Sequence, residues 1–515
     1  MNRMRKTIGI LALLLCMSGA KAQETEPSSS LTEVDRSGST RYYTFNYPSK
    51  GIGGEDVILS SLLVAWMPTS PSSSDSIESL HIYNHFTILS DKECPSSDEN
   101  SKEHTIFNLL VGSRHGLSLN SAYNFISRCI VIAPDYEGYG VSKHRSHPYL
   151  SQGLTAKQVV DGVTYGLMLY QKLAEEKRAL ALKSNWRSFN YGFSQGGAVA
   201  LAVHRYIEES GQSEQLRFRG SICGDGPYDL ITTLSYYVND NGSNYGTTTD
   251  HRRGMTTMPM VIPLIIKGLL DTHPLMKGHC LEDYLSQQFL DTGIMDWIAS
   301  KEYTVNDIHK LWYQQLKNGL RTSERYYNTG KMSELFYSPK TNRVWARLDK
   351  LFTPAFFEYI SDPVKFGTVP QEKGDPFQDI HRAMDANNVC RGWQPMHRIQ
   401  FVHSKNDMVV PYGNYLSFLS AHQEDEGVLF RIDEGLSPAD HIDAGTNFYL
   451  KFVSGSYGEF FTWLDATPEP TSITPAHGEW QMANDGWFTL DGRRLNTRPT
   501  RKGIYIHRNQ KITIN

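Results

Sequence analysis

Short apolar runs alternate with segments of helical pattern along this chain, and no other feature of the sequence limits its fold so strongly. The run Cys129-Ile130-Val131-Ile132-Ala133 is continuous, rich in β-branched residues and ended by Pro134. Such a run is typical of a central strand buried on both faces. The segment after it repeats apolar residues at helical spacing, such as Val159, Val163 and Leu167. Strands that alternate with helices predict an α/β fold with a doubly wound, mostly parallel sheet.

Further strands are predicted on both sides of the central run. Residues 57–59 and 62–66 have the pattern of a hairpin that opens the sheet, and residues 80–84 that of the next strand. Thr155 and Gln158 predict a capping box at the start of the helix that follows the central run. Later strands are predicted at 187–193, 217–224, 399–403 and 429–432, and a further helix at 196–206.

Residues 228–395 break this alternation. The stretch is rich in Tyr, Met and Trp, and residues 308–320 carry apolar side chains at helical spacing. An insertion of this length exceeds what a loop of a compact domain spans, so we expect a helical cap over the mouth of a site. Its apolar segment 258–270 has two interpretations, as the core of the cap or as the lining of an acyl site.

The core is therefore predicted in two parts, residues 42–227 and 396–465, which flank the cap in sequence. The remainder, 466–515, is expected to form a linker and a small β segment. Residues 466–475 are rich in Pro, Thr and Ser, which is typical of a linker. Three short strands are predicted beyond it, with turns at Asp491-Gly492 and Asn509.

The first 22 residues have the pattern of a secretory signal peptide. A basic start with Arg3, Arg5 and Lys6 precedes an apolar run at 8–17, and Ala20-Lys21-Ala22 follows with small residues for cleavage. The apolar run is too short to span a bilayer. We therefore expect export to the periplasm, the cell surface or the extracellular space, without an integral membrane span.

The net charge and the cysteines indicate which binding partners and which disulfides are expected. The net charge of −4 gives no reason to expect nucleic acid or an anionic membrane as a partner. After removal of the leader five cysteines remain, and none has metal-like spacing. A disulfide between Cys280 and Cys390, or one to Cys94, stays open. Cys129 and Cys223 lie in apolar runs and are expected to be small core residues.

The strongest local motif is Gly192-Phe193-Ser194-Gln195-Gly196, between a predicted strand and a predicted helix. A serine hydroxyl becomes a good nucleophile only when it is exposed, oriented and given a base. A sharp strand-to-helix turn exposes it but crowds its neighbours, and glycines two positions away on either side relieve that crowding. The helix N-terminus also favours the negative charge that develops there. Ser194 is therefore the predicted nucleophile.

A serine nucleophile in this setting needs a late histidine and an acid before it. His441 follows the last predicted strand and is the first choice as base, with His403 and His422 as alternatives. Asp407 follows the strand at 399–403 and is favoured as the acid that orients the imidazole. Asp225, at the end of the strand before it, is the competitor and has a second interpretation as a turn former or helix cap.

The tetrahedral intermediate of such a reaction needs two N–H donors for its oxyanion. The backbone N–H of Gln195, directly after the nucleophile, is the expected first donor. The second is expected from Phe86 or Thr87, in the loop after the strand at 80–84. The sequence has no metal-ligand set and no phosphate-binding glycine loop, so we expect no metal and no cofactor.

Taken together, these residues resemble the α/β-hydrolase superfamily, and within it the capped secretory lipases and related bacterial esterases. This resemblance implies that Ser194, Asp407 and His441 act as nucleophile, acid and base. The family commonly has His-Gly before the oxyanion residue, whereas this chain has His85-Phe86. The matching segments lie between residues 42 and 463: 84–87, 133–140, 192–197, 224–230, 407–412 and 440–441.

The C-terminal tail has a resemblance of its own. Residues 486–495, 502–506 and 511–514 are similar to C-terminal segments of exported Bacteroidetes proteins, some of which act as sorting signals. The alternative is a β-extension that packs on the enzyme.

The predicted function is that of a secreted serine esterase or lipase. Its substrate is expected to be a small-molecule ester, an acylated glycan or a lipid. A capped serine peptidase would use the same three residues and would need a charged anchor for a peptide terminus. The acidic pair Glu282 and Asp283 is one of several charged groups in the cap, and a solvated helix face explains it as well. A non-catalytic binding protein on the same scaffold is the third possibility.

Overall fold

The computed structural model describes residues 31–97, 128–239, 253–318, 334–337, 344–371 and 374–466, together with short strands beyond residue 486. Two compact units are present, Met1–Thr467 and Pro468–Asn515. The predicted leader at 1–22, nearly all of the predicted linker at 466–475 and the tail turns at Asp491-Gly492 and Asn509 lie outside the described residues.

The first unit is built around a nine-stranded sheet of order β1-β2-β3-β5-β4-β6-β7-β11-β12. Strands β1 to β3 are antiparallel to their neighbours, and β5, β4, β6, β7, β11 and β12 pair in parallel. The predicted mostly parallel sheet is confirmed. The strands are β1 (Thr32–Ser37), β2 (Thr40–Lys50), β3 (Asp56–Trp66), β4 (Ile77–Asn84), β5 (Cys129–Pro134), β6 (Leu182–Phe193), β7 (Phe218–Gly224), β11 (Arg398–Val402) and β12 (Phe430–Asp433).

Helices cover both faces of this sheet. On β5, Ile130 and Ile132 point into the core under helices α1 and α2, while Val131 points into a second core under helices α12 and α13. All six residues of β5 are buried, so the predicted double-sided burial of the central strand is confirmed. The helices outside the insertion are α1 (Gln152–Glu175), α2 (Gln195–Glu209), α11 (Gly413–His422), α12 (His441–Val453) and α13 (Gly458–Asp465).

The chain between β7 and β11 carries the predicted helical insertion. A small antiparallel sheet of order β8-β10-β9 lies within it, formed by Met255–Thr256, Trp345–Arg347 and Phe336–Tyr337. Residues 308–318 of the predicted amphipathic segment lie in helix α7, and residues 319 and 320 lie outside the described residues. The described helices here are α3 (Leu230–Asn239), α4 (Val261–Thr272), α5 (Gln287–Leu290), α6 (Ile294–Ser300), α7 (Val305–Asn318), α8 (Leu348–Leu351), α9 (Pro354–Ser361) and α10 (Pro376–Ala386). Short 3-10 turns occur at Asp91–Glu93, Gly140–Ser142, Pro274–Met276, Leu281–Asp283 and Gln423–Asp425.

Two local predictions were wrong. The hairpin expected at 57–59 and 62–66 is one continuous strand, β3, whose antiparallel partner is β2. Ser60 and Ser61, between the two predicted strands, are buried in the continuous strand, and the Ser60 hydroxyl donates to Asp135 over 2.5 Å. The capping box at Thr155 is also absent, because α1 already begins at Gln152.

Among the described residues, no two cysteines form a disulfide. Cys390 is buried and Cys280 is exposed, so the disulfide between them that the sequence left open is not formed, nor is one to Cys94. Cys129 and Cys223 lie in the core as predicted.

The second unit contains a four-stranded antiparallel sheet of order β14-β13-β15-β16. Strand β13 is Trp487–Thr489, β14 is Arg494–Leu495, β15 is Gly503–His507 and β16 is Gln510–Ile514. Three strands were predicted, and the additional one is Arg494–Leu495, a two-residue strand that pairs with Trp487 and Phe488. Its length explains why the sequence pattern did not show it. Across the described parts of the chain, no helix combines the length and the apolar character needed to cross a membrane.

The double-sided core leads to a stability prediction. Leu80 of β4 is fully buried, whereas Leu416 of α11 is 39% exposed. We expect Leu80→Ala to lower the free energy of unfolding by about 2–5 kcal/mol, because it leaves a cavity in close-packed surroundings. The same substitution at Leu416 should change it by less than about 0.5 kcal/mol. Urea unfolding measures both, and equal losses would contradict this description of the core.

Candidate active site

Ser194 occupies a strained turn between β6 and α2. Its backbone has φ 59° and ψ −125°, a conformation that non-glycine residues rarely adopt. The Ser194 N–H donates to the carbonyl of Gly224 at the end of β7 over 2.9 Å, which fixes the turn against the neighbouring strand. Strain held by surrounding structure is concentrated at functional sites. The sharp turn predicted from the motif is present between β6 and α2, with Ser194 half-buried in it, and the role of Ser194 as nucleophile stays a prediction.

The glycines around Ser194 are required by close contact with the loop after β4. A Cβ on Gly192 would lie 2.7 Å from the Asn84 carbonyl oxygen, and one on Gly196 would lie 2.8 Å from that of His85. Real Cβ atoms do not approach this closely. The turn and the 84–87 loop are therefore pressed together, with no space for a side chain between them.

The side chains of Ser194, His441 and Asp407 form a series. Each lies within hydrogen-bond distance of the next. The Ser194 Oγ lies 2.9 Å from His441 Nε2, and His441 Nδ1 lies 2.5 Å from Asp407 Oδ2. Because the Asp407 carboxylate only accepts, Nδ1 carries the proton and Nε2 is left to accept from the serine hydroxyl. Asp440 caps helix α12 by accepting from the N–H groups of residues 442 and 443, which places His441 at the first helical position.

The alternative bases occupy other positions. His403 Nε2 lies 2.9 Å from the Val410 carbonyl, and His422 Nε2 lies 2.8 Å from the Cys390 carbonyl. Both rings are therefore engaged with the backbone. The structure brings His441, and neither of these, to the serine.

Both candidate acids are buried beside His441. Asp407 Oδ1 accepts from the N–H groups of Val409 and Val410, each over 2.8 Å, and its other oxygen faces His441. Asp225 accepts from the Ser404 N–H over 3.2 Å and shares a hydrogen bond with Asp407. Asp225 therefore touches the acid rather than the imidazole hydrogen, and the preference for Asp407 agrees with the geometry.

The two carboxyl groups have opposite pKa shifts. Burial and the neighbouring Asp407 charge raise the pKa of Asp225 well above its ordinary value. Burial would raise the pKa of Asp407 too, but the adjacent His441 outweighs it and leaves the pKa of Asp407 lowered. Like charges in one buried site cannot both ionise cheaply. The two directions favour the proton on Asp225 and the negative charge on Asp407.

The predicted oxyanion residues lie in the two segments that meet at the turn. Gln195 is the first residue of α2, where backbone N–H groups have no intrahelical acceptor. Its side chain contacts His147, with the two Nε2 atoms 2.9 Å apart. Thr87 Oγ1 lies 2.7 Å from the Tyr149 hydroxyl, and the Phe86 carbonyl lies 2.7 Å from His85 Nδ1.

His147 and Tyr149 were missed by the sequence analysis. They contact residues 48 and 62 positions away, and no motif marks such pairs.

Ligand-type atoms of Asp225, Asp407 and His441 lie within 4.8 Å of one another, which is close enough for a metal ion. Two of these groups already share the hydrogen bond that orients the imidazole. The expectation of no metal and no cofactor stays a prediction.

Comparison with known proteins supports the fold. No family model matches the chain, and no curated protein does either. The rice cell wall degrading esterase LipA from Xanthomonas oryzae matches with a TM-score of 0.57 at 18% identity, over 82% of this chain and 91% of that one. A protein from Legionella pneumophila assigned as a hydrolase matches with a TM-score of 0.56 at 16% identity, over 85% and 92%. The chain thus has the α/β-hydrolase fold that its sequence predicted.

Asp225→Asn is expected to stabilise the protein at high pH. The folded pKa of Asp225 is raised above its ordinary value of 3.8, so above that value the native state holds a proton that the unfolded chain releases. Stability therefore falls as the pH rises through this window. Asparagine can still accept from Ser404 and donate to Asp407, but it does not titrate. In thermal melts between about pH 4 and about pH 8, the Tm of the variant minus the Tm of the wild type should increase as the pH rises.

The matched control is Asp443→Asn, at an exposed position of α12. It should show no comparable trend. A Tm difference between Asp225→Asn and the wild type that does not change with pH would contradict a raised pKa of Asp225 in the fold.

Proposed function

We propose that the protein is a serine hydrolase that cleaves carboxylic esters through an acyl-enzyme on Ser194. The observation that carries this proposal is the continuous hydrogen-bonded series from the Ser194 hydroxyl through His441 to the charged Asp407, at a strained turn. A serine with an oriented base and a buried acid is the arrangement that acyl transfer requires. The fold shared with an esterase of known structure agrees with it.

The mechanism follows from the proton positions. His441 Nε2 takes the Ser194 hydroxyl proton as Oγ bonds to the ester carbonyl carbon, and Asp407 stabilises the imidazolium. The oxyanion is received by the N–H of Gln195 and by a donor from Phe86 or Thr87. His441 then gives its proton to the leaving alkoxide as the carbon–oxygen bond breaks. A water molecule, deprotonated by His441, attacks the acyl-enzyme and releases the carboxylic acid, and the proton returns to Ser194.

The packing of the apolar cap segment indicates which acyl groups the substrate carries. An apolar cavity of about 20 Å³ lies there, lined in part by Tyr237, Ile262, Ile265, Ile266 and Phe356. The three isoleucines belong to the apolar segment 258–270. Ile262 and Ile266 are also buried, which supports the interpretation of this segment as cap core rather than as the lining of an acyl site. We therefore propose esters with short acyl groups as the preferred substrates.

A capped serine peptidase is the competing hydrolase. It would need a charged side chain presented to a peptide terminus, and the acidic pair in the cap does not favour it. Asp283 caps its own turn by accepting from the Cys280 N–H, and Glu282 lies in the same short 3-10 turn. The non-catalytic alternative gives no reason for a strained serine bonded to a histidine.

We extend the proposal to export, on the strength of the leader pattern at 1–22. The tail resemblance at 486–514 suggests a sorting signal. N-terminal sequencing of the mature protein tests the leader, because cleavage after Ala22 is expected.

Ser194→Ala should abolish hydrolysis of p-nitrophenyl acetate. Removal of a triad nucleophile costs about 10⁴-fold or more in kcat, because only binding and the oxyanion donors remain. The matched control is Ser417→Ala on α11, whose hydroxyl bonds Asp229 and not the site. Initial rates of both purified variants, with circular dichroism to show that they fold, make the measurement. Near wild-type turnover in the Ser194 variant would contradict the proposal.

A substrate panel separates the competing activities. We expect kcat/KM to be highest for acetyl and butyryl esters and to fall for longer acyl chains, because the apolar segment of the cap is buried in the cap core instead of lining an acyl site. Acetylated sugars and aminoacyl amides complete the panel. Faster cleavage of the amides than of every ester would favour the peptidase.

A further inference from the structure

The loop that leads into α1 contacts the first proposed oxyanion residue. This loop, residues 146–152, is called the 146–152 segment. His147 Nδ1 lies 2.8 Å from the Glu137 carbonyl, to which it donates, and burial lowers the pKa of His147 to about 3, so the ring is neutral. Its Nε2 therefore accepts, and it receives the hydrogen bond of the Gln195 side-chain amide over 2.9 Å. His147 thus holds the residue directly after Ser194.

The same segment contacts the second half of the proposed oxyanion site. Two residues after His147, the Tyr149 hydroxyl bonds Thr87 Oγ1 over 2.7 Å. Tyr149 is buried, as is His147. One short stretch of chain therefore holds both segments that are proposed to supply oxyanion donors.

On its other side the 146–152 segment is bonded to the cap. Ser146 Oγ donates to Asp271 of α4 over 2.7 Å, and Ser151 Oγ lies 2.7 Å from Thr272 Oγ1. Asn387, at the end of α10, binds the backbone twice. Its amide donates to the Leu150 carbonyl over 2.6 Å, and its oxygen accepts from the Gln152 N–H over 3.0 Å.

Helix α4 also touches the segment directly. A Cβ on Gly268 would overlap the backbone carbonyl of Tyr149, so the helix packs against the chain with no space for a side chain. Next to it, Leu150 has φ +54°, a left-handed conformation that is costly for leucine. Such strain persists only where the surroundings hold it, and here Asn387 and α4 surround it.

We propose that the 146–152 segment is a positioning element, through which the packing of the cap sets the geometry of the oxyanion site. This inference rests on the proposed function. His147 and Tyr149 are positioning residues that act through Gln195 and Thr87. Because transition-state donors must be placed to a fraction of an ångström, a small displacement of the segment lowers turnover without weakening substrate binding.

The test changes the packing on the cap side of the segment, away from the residues that are proposed to react. Gly268→Ala pushes a methyl group against Tyr149, whereas Gly153→Ala, at the start of α1, places its methyl in open space. Both substitutions replace a helical glycine by alanine and gain helix propensity. We expect Gly268→Ala to lower kcat for p-nitrophenyl acetate by about tenfold or more while KM stays within about twofold. Gly153→Ala should keep wild-type values.

Three further variants test the hydrogen bonds of the segment with little change in packing volume. Tyr149→Phe removes only the hydroxyl that bonds Thr87, and we expect a fall in kcat of about tenfold, less than the ~10²–10³ for loss of an oxyanion donor. His147→Leu should also lower kcat. His147→Gln places an amide oxygen where Nε2 accepted, and it should restore much of the loss, which a purely structural role would not require.

Hydrogen–deuterium exchange supplies a readout that does not depend on hydrolysis. In Gly268→Ala, peptides that cover 85–90 and 192–199 should exchange faster than in Gly153→Ala. If kcat, KM and both peptides are unchanged in Gly268→Ala and Tyr149→Phe, the proposal is overturned. If the wild type hydrolyses no ester, the proposed function fails, and the exchange data then decide by themselves whether the cap and the turn are coupled.

Discussion

The structure depends on the contact between the strained turn at Ser194 and the loop after β4. The turn requires glycine at 192 and at 196, because the carbonyls of Asn84 and His85 lie where their side chains would be. That contact brings the start of α2 and residues 85–87 to one place at the carboxyl ends of the parallel strands, where α/β sheets bind ligands. The positions of β11, α12 and the cap matter for the site because they bring Asp407, His441 and the 146–152 segment to this turn.

Electrostatics add a second constraint, since two carboxyl groups share one buried site. Burial opposes the charge on Asp407, but His441 and the hydrogen bond from Asp225 leave the pKa of Asp407 lowered, while burial and the Asp407 charge raise the pKa of Asp225. A neutral Asp225 supports the orientation of Asp407 without adding a second negative charge beside the imidazole. The pKa directions therefore distinguish the two candidate acids, and the assignment of Asp407 as the acid stays a prediction. Both lie at the site, and the protonation states give them different tasks.

The sequence predicted the parts of this protein whose structure depends on local residue patterns. The apolar run at 129–133 and the glycine spacing around Ser194 each follow from steric and burial rules, and the strands and helices they predicted are present. It failed where a long-range partner overrides a local signal. The hairpin predicted at 57–59 and 62–66 is one continuous strand, inside which Asp135 binds Ser60. No local sequence motif includes His147 or Tyr149. Their partners, Gln195 and Thr87, are distant in sequence and come into contact with them only in the folded protein.

The central claim is that Ser194 is activated by His441, and covalent labelling tests it most directly. The protein is incubated with diethyl p-nitrophenyl phosphate, digested, and the modified peptide is sequenced by tandem mass spectrometry. An organophosphate reacts with a serine only when a base activates it and oxyanion donors receive the phosphoryl oxygen. The account predicts one diethylphosphoryl group on Ser194, formed much more slowly when His441 is replaced by glutamine. A folded protein that stays unlabelled, or that carries the label on another residue, would contradict it.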